Sequence, residues 1–321
     1  MQKITAGSGY EYLTRNVARL DGTHEARPSL ASYYTEKGET PGRWVGTGLP
    51  GLDLLAEGDP VTAEQMWNLF AVGYHPLAEQ MQDRAAANPD STRAQIEAAA
   101  RLGNPFKTYT EVSPFRTEVA RRLNQINTQA GRRRDAALPP EVRARVRTEV
   151  ATEMFLDEYH RPPHDARELA GHVAKLSRQQ TTAVAGFDIT FSPVKSVSTL
   201  WALAEPALAA RIEQAHNQAV ADALRTIETT ALYTRLCAGG VRQVDVRGLV
   251  GAAFTHRDSR AGDPDLHTHV AIANKVQTVT DGRWLAIDGR VLLKAIVTIS
   301  ETYNTALERH LTETIGVRFA A

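Results

Sequence analysis

The sequence contains a single cysteine, Cys237, among its 321 residues. One thiol can form neither an intramolecular disulfide nor a cysteine-rich zinc site, so neither holds this fold together. The sequence also lacks any window of about 18 uncharged apolar residues, and its start, MQKITAGSGYEYLTRNVARL, lacks the apolar segment of a secretory signal. We therefore expect a cytoplasmic protein that does not insert into a membrane.

An excess of charge of either sign is also absent, because 37 basic and 37 acidic residues give a formal net charge of +0. This balance excludes a global electrostatic field that attracts nucleic acid, although a local basic surface can still bind it. No P-loop sequence G-x-x-x-x-G-K-[ST] occurs, which excludes P-loop binding of ATP. With 42% hydrophobic residues, the chain can bury a substantial core and is typical of a folded, globular protein.

The spacing of apolar residues predicts an α+β fold. KIT near the start and AGFDITFSP (185–193) are typical of strands, whereas PALAARIEQAHNQAVADALRTIETTA (206–231) and VLLKAIVTISETYNTALERHLTETIG (291–316) have helical spacing. Two apolar segments, RGLVGAAFTH and DLHTHVAIANKV, flank the loop RDSRAGDP and predict an antiparallel hairpin. We expect a central antiparallel sheet that helices cover on one face.

Between these parts, residues from about 61 to 178 are predicted to be mainly helical and charged, with breaks at prolines. We interpret about 78–178 as a helical insertion or lid within a single domain of residues 1–321. A lid without chemistry of its own and a helical unit that grips DNA are the two alternatives. Because the chain stops directly after a helical pattern, we expect it to be the N-terminal fragment of a longer protein.

Three histidines follow the spacing H-x10-H-x-H in HRDSRAGDPDLHTHV. His267 and His269 are two residues apart on one strand, so their side chains project from the same face. A hairpin brings His256 beside them, and three converging imidazole nitrogens can hold a metal ion with open positions. Such a triad suits zinc-type hydrolysis or a hard cation that polarises a phosphoryl oxygen, and the spacing does not choose between them. Ordinary polar residues of a half-exposed strand are the alternative.

Several segments resemble one known family. FTHRDSRAGDPDLHTHV and GFDITFSPVKSVSTLWAL are similar to the three-histidine motif, and to the strand and helix before it, of the MobF class of conjugative relaxases, the TrwC/TraI-like members of the HUH endonuclease superfamily. YYTEKGETPGRWVGTGLPGL resembles the N-terminal tyrosine segment of that class, and GRWLAIDGRVLLKAIVTISETYNTAL resembles its last strand and helix. The resemblance covers about residues 1–75 and 180–321, and it implies a palm-like sheet.

The resemblance implies a function and its partners. Relaxases of this class nick one strand of plasmid DNA at an origin of transfer, form a covalent 5′-phosphotyrosine and later rejoin the ends during conjugation. The three histidines would hold Mg²⁺ or Mn²⁺, with Zn²⁺ or another divalent ion possible, and Asp188 would orient a metal histidine and assist the tyrosine. The implied partners are single-stranded or hairpin DNA, together with relaxosome and coupling proteins.

The attacking tyrosine is harder to assign. The family often has two tyrosine pairs, and the distance from Tyr33 and Tyr34 to GRW matches its second pair, whereas the first pair falls near Arg15 and Asn16. We expect Tyr33 or Tyr34 to be the nucleophile, with Tyr10 as the second candidate. The alternative for Tyr10, and for Tyr12 close to it, is packing of an amphipathic helix.

Four residues are candidates for binding DNA. Lys195 lies at a helix start that could hold a phosphate, although Ser192 could equally cap that helix. Arg260 and Arg43 could pair with phosphates, and Trp44 could stack on a base or anchor the core. Two other functions stay open: a zinc-type hydrolase with a water nucleophile, and a catalytically inactive module that binds DNA hairpins.

Overall fold

The computed structural model describes residues 1–15, 41–108, 113–134, 136–177, 182–236, 241–259 and 263–319. Elements are numbered within these residues in chain order. The strands are β1 Gln2–Thr5, β2 Arg43–Val45, β3 Val184–Phe191, β4 Tyr233–Leu236, β5 Arg242–Asp245, β6 Gly251–Asp258, β7 Pro264–Ala273, β8 Val276–Gln277 and β9 Trp284–Leu285.

The helices are short near the N-terminus and long near the C-terminus. They are α1 Glu11–Arg15, α2 Ala63–Met66, α3 Ala78–Ala86, α4 Arg93–Ala99, α5 Pro114–Gln129, α6 Pro140–Tyr159, α7 Ala166–Ser177, α8 Lys195–Leu203, α9 Pro206–Thr230 and α10 Gly289–Ile315. A π-helix, Trp67–Val72, continues α2, and 3-10 turns form at Ser8–Tyr10 and Leu49–Leu52.

A five-stranded sheet forms the centre, in the order β1-β3-β7-β6-β2, and every neighbouring pair is antiparallel. The predicted α+β class with a central antiparallel sheet is therefore confirmed. The strands β6 and β7 are the predicted hairpin, and His256 pairs directly with His267. Two small sheets, β4-β5 and β8-β9, lie outside the central one.

Both faces of this sheet carry apolar side chains. On one face, β3 and β7 contribute Phe187, Ile189 and Ile272 to a core that includes buried residues of α9 and α10. The opposite face packs Ala271 and Phe254 with residues of the N-terminal segments. The expectation of cover on one face alone is thus incomplete, since short segments also cover part of the second face.

The π-helix packs on this second face through Leu69 and Phe70. Phe70 is fully buried, and its ring lies on Gly186 of β3, where an added Cβ would approach the Phe70 ring to 2.8 Å. Glycine at position 186 is therefore needed for close approach of this ring to the sheet. The same π-helix leaves Trp67 largely exposed.

The chain forms two compact units by its internal contacts. The first comprises residues 1–107 and 183–321, and the second comprises 108–182. The second unit contains α5, α6 and α7 around a small core that includes Phe115 and Val150. The helices α3 and α4 belong to the first unit, so this division begins at residue 108, whereas the insertion was expected from about 78. Within the described residues, no helix is long and apolar enough to cross a membrane.

Replacing Phe70 with alanine tests the packing on the second face. We expect Phe70→Ala to lower the free energy of unfolding by about 3–5 kcal/mol, because it leaves a cavity against the sheet. Trp67→Ala in the same π-helix is the matched control and should cost less than about 1 kcal/mol, since that side chain is 54% exposed. Urea denaturation of both variants measures the difference, and equal losses would contradict the assigned packing.

Candidate metal centre and nucleophile

The hairpin brings the three predicted histidines together. His256 of β6 is the direct partner of His267 in β7, and His269 follows two residues later on the same face. Their ring centroids are 5.2, 5.3 and 5.4 Å apart, and one ligand atom from each residue lies within 4.8 Å of the other two. The long spacing in H-x10-H-x-H therefore spans the hairpin from His256 to His267, and the short spacing keeps His267 and His269 on one face of β7.

Hydrogen bonds fix the orientation of two imidazoles. The Nδ1 of His267 lies 2.7 Å from the backbone carbonyl of Asp265, and the Nδ1 of His269 lies 3.0 Å from Oδ2 of Asp188. Because these oxygens only accept, both Nδ1 atoms donate, and each Nε2 keeps its lone pair. This is the arrangement in which a histidine binds a metal through Nε2.

His256 provides an independent indication of a ligand. Its ring is buried, and its Nε2 has no hydrogen-bond partner among the residues that the structure describes. Burial, together with the neighbouring His267 and His269, lowers the pKa of His256 to about 4, so the ring is neutral at neutral pH. A buried polar atom without a partner is costly unless something binds it. The three histidines thus fit a divalent metal ion and can hold one.

A carboxylate connects this centre to a phenol. Asp188 lies on β3 beside β7, is almost fully buried and accepts a hydrogen bond from His269. It also accepts one from the hydroxyl of Tyr12, at 2.6 Å. Burial and the hydrogen bond to Asp188 raise the pKa of Tyr12, so this phenol is protonated at neutral pH. The site therefore combines a protonated phenol, a carboxylate that can take its proton, and three metal ligands.

The N-terminal segment places Tyr12 by reversing direction after β1. The strand pairs with β3 so that Gln2 lies opposite Asp188, and the chain then turns through Gly7, which has a positive φ of 80°. The turn is held by a hydrogen bond from the Gly7 N–H to the Ala71 carbonyl. The 3-10 turn Ser8–Tyr10 follows, and then the helix α1, whose second residue is Tyr12.

The contact between Tyr12 and Asp188 was not predicted from the sequence, where packing of an amphipathic helix was the alternative considered for Tyr12. A signal was available: residues two apart on a helix point roughly 200° away from each other, so Tyr10 and Tyr12 cannot both face the same core. Tyr10 is the buried member, with its ring 6.4 Å from that of Phe70. Tyr10 therefore packs in the core of this face, which favours Tyr12 over Tyr10 as the phenol beside the histidines. Tyr33 and Tyr34 lie outside the described residues.

Two of the four DNA-binding candidates contact other parts of the fold. Trp44 is fully buried and its Nε1 donates to Gln65, so it cannot stack on a base. Arg43 donates to the side chain of Asn217 on α9, at 2.7 Å. It therefore points to the face of the sheet opposite the histidines, because Trp44 beside it belongs to the core of the histidine face.

Lys195 contacts the hairpin loop. Its ammonium group pairs with Asp263 and donates to the carbonyl of Pro264 at 2.8 Å, which ties the start of α8 to that loop. More than half of its side chain is nevertheless exposed. Its phosphate-binding role stays a prediction. Arg260 lies outside the described residues.

An antiparallel sheet with three converging histidines, backed by a carboxylate and a phenol, defines a candidate metal-dependent enzyme. The model of the family described as TrwC relaxase matches residues 6–321. The chain therefore belongs to the TrwC relaxase family.

Two curated relatives match part of this sequence. The multifunctional conjugation protein TraI from Escherichia coli is 43% identical over 115 residues, and its counterpart from Escherichia coli strain K12 is 41% identical over 115 residues. Each match covers 35% of this chain and 6% of the relative. The chain thus corresponds to a small part of those proteins.

Solved structures of the conjugative relaxase TrwC with oriT DNA are also similar. A copper-bound complex has a TM-score of 0.49 and 22% identity, and the match covers 97% of this chain and 70% of that one. A metal-bound complex has a TM-score of 0.38 and 31% identity over 59% of this chain and 58% of that one. The family assignment rests on the match of the family model to residues 6–321.

Removing one histidine tests the metal centre. We expect His267→Ala to weaken Mn²⁺ binding by more than about 100-fold, because it deletes one of three ligands, whereas loss of a supporting partner alone costs about 10–100-fold. Isothermal titration calorimetry at constant pH measures this. His164→Ala, an exposed histidine of the second unit, is the control and should bind Mn²⁺ as the parent does. Equal affinities for the two variants would place the metal elsewhere.

Proposed function

We propose that this chain nicks one strand of DNA at an origin of transfer and rejoins it, with Tyr12 as the attacking residue. The single observation that carries this proposal is the hydrogen bond from the Tyr12 hydroxyl to Asp188, which also holds His269 of the triad. Nucleophile, base and metal ligands are thus joined through one carboxylate. Membership of the TrwC relaxase family supports the same reaction.

The chemical step is a transesterification. The Tyr12 oxygen attacks a backbone phosphorus, a new oxygen–phosphorus bond forms, and the bond from phosphorus to the 3′-oxygen breaks. The phenol proton passes to Asp188 along the existing hydrogen bond, and the released 3′-oxygen takes up a proton from solvent water to become a hydroxyl. The phosphotyrosine keeps the energy of the broken ester, so the reverse reaction rejoins the strand without ATP.

Asp188 is the base that this step requires. A phenol has a pKa near 10 in water, and burial beside a carboxylate raises the pKa of Tyr12 further. The proton therefore leaves only as the oxygen attacks, to an acceptor already in place. The second role of Asp188 is to hold the His269 ring, which keeps the phenol and the metal ligands in fixed relation.

The three histidines would bind Mg²⁺ or Mn²⁺, and Zn²⁺ or another divalent ion also suits imidazole ligands. When bound, such an ion would neutralise negative charge on the phosphoryl oxygens of the DNA. His256, His267 and His269 would each present Nε2 to it.

The partners that we propose follow from the same reaction. The substrate would be single-stranded or hairpin DNA at an origin of transfer, and relaxosome and coupling proteins would act with the chain in the cytoplasm. The relatives from Escherichia coli are described as conjugation proteins, which supports this assignment. Lys195 and Arg260 are the side chains that we propose for phosphate contacts near the hairpin.

A covalent trap identifies the nucleophile. We expect a suicide oligonucleotide that contains the origin sequence to become linked to the peptide with Tyr12, because this phenol already donates to the base. Mass spectrometry of the digested adduct names the residue. Tyr12→Phe should reduce adduct formation by at least about 100-fold, which corresponds to loss of an activated nucleophile.

The double variant Tyr33→Phe/Tyr34→Phe is the matched control and should still form the first adduct. An adduct on Tyr33 or Tyr34 instead would contradict the assignment of Tyr12. Strand cleavage that persists without any adduct in Tyr12→Phe would favour the hydrolase with a water nucleophile. Hairpin binding that a chelator leaves unchanged, without cleavage, would favour the inactive module.

A further inference from the structure

The residue between two metal histidines points away from the metal. Thr268 lies between His267 and His269 in β7, so its side chain projects from the opposite face, toward α9 and α10. It is fully buried there. Its hydroxyl lies 2.9 Å from that of Thr255, the residue directly opposite on β6.

A histidine outside the triad extends this contact to both long helices. His216 of α9 is fully buried, and its Nε2 lies 2.8 Å from the Thr268 hydroxyl. Its Nδ1 lies 2.8 Å from the hydroxyl of Tyr303, which α10 supplies. A hydrogen-bond network of Tyr303, His216, Thr268 and Thr255 therefore connects the two helices to both strands of the hairpin.

The direction of donation follows from the chemistry of these groups. Burial, together with the nearby Arg43 and His267, lowers the pKa of His216 to about 3, so its ring is neutral with one donor and one acceptor nitrogen. The buried Tyr303 O–H needs an acceptor, and Nδ1 of His216 is at the right distance. Nε2–H then donates to Thr268, and the Thr268 hydroxyl donates to Thr255. In this arrangement the Tyr303 donor has a partner, and His216 and Thr268 each have partners for a donor and an acceptor group.

A contribution to stability alone does not account for this hydrogen-bond network. The same face of β7 is otherwise apolar, with Leu266, Val270 and Ile272 packed against the helices. Replacing both partners of a buried hydrogen bond with apolar groups of the same shape is often nearly neutral for stability. Hydrogen bonds differ from apolar packing because they are directional. This hydrogen-bond network therefore restricts how β7 is rotated about its own axis.

We propose that His216 is a positioning residue for the metal centre, acting through Thr268 from the opposite face of the sheet. Because successive side chains on a strand project in opposite directions, a rotation that moves Thr268 also turns His267 and His269. The helices thereby determine where the two Nε2 atoms point. This inference depends on the metal centre of the proposed function.

Isosteric variants test this role without emptying the core. Thr268→Val replaces the hydroxyl with a methyl group, Tyr303→Phe removes only the distal hydroxyl, and Thr268→Ser keeps the hydroxyl that His216 requires. Ile272→Val is the matched control, since it loses one methylene on the same strand and face but removes no member of the hydrogen-bond network. Mn²⁺ affinity is measured by calorimetry, thermal unfolding reports stability, and NMR of the metal-free protein reports the imidazole signals of His267 and His269.

We expect Thr268→Val to weaken Mn²⁺ binding by about tenfold, the lower end of the range for groups that orient ligands, and Tyr303→Phe to weaken it by about threefold. Thr268→Ser and Ile272→Val should bind Mn²⁺ as the parent does. The imidazole signals should shift in Thr268→Val and stay in place in Ile272→Val, whatever the thermal midpoint of either variant.

Unchanged affinity and unmoved imidazole signals in Thr268→Val would overturn the inference. An equal loss of affinity in Ile272→Val would do the same, because it would show a general effect of core packing. If the parent chain did not bind Mn²⁺ at all, the proposed metal centre would fail, and the signals of the metal-free protein would still decide whether His216 positions the two histidines.

Discussion

The site depends on one buried carboxylate that accepts hydrogen bonds from two directions. Asp188 would be costly to bury alone, since an ionised carboxylate away from water needs compensating donors. One donor, Tyr12, comes from α1 near the start of the sequence. The other donor, His269, comes from β7 of the hairpin, more than 250 residues later. The same interaction therefore stabilises the charge and brings the Tyr12 phenol and the three histidines into one arrangement.

The sheet has a different task on each face. One face carries the three histidines at alternate positions of β6 and β7, and the N-terminal segments cover another part of that face with apolar packing. The other face rests on α9 and α10, where most contacts are apolar and His216 adds the directional ones. A strand whose side chains make hydrogen bonds on both faces and pack against helices on one of them can hold ligands more rigidly than a loop could.

Much of this architecture could be predicted from local patterns. Alternation and the H-x10-H-x-H spacing were enough for the hairpin, and Asp188 was a carboxylate within an apolar strand, which needs a partner. Helical spacing could separate Tyr12 from Tyr10, but it could not place Tyr12 beside Asp188, because that contact depends on how β1 pairs with β3 and on the turn at Gly7. The same holds for Trp44: a strand of three residues, Arg43–Val45, shows no readable alternation between its faces.

In the proposed site, one metal ion that three Nε2 atoms hold lies beside a phenol that donates to Asp188. A crystal structure of the Mn²⁺-loaded chain, with anomalous diffraction to locate manganese, tests it most directly. We predict one strong anomalous peak within bonding distance of Nε2 of His256, His267 and His269, with the Tyr12–Asp188 hydrogen bond retained. Manganese at another position, or coordination through Nδ1 with Asp188 turned away from His269, would contradict the account.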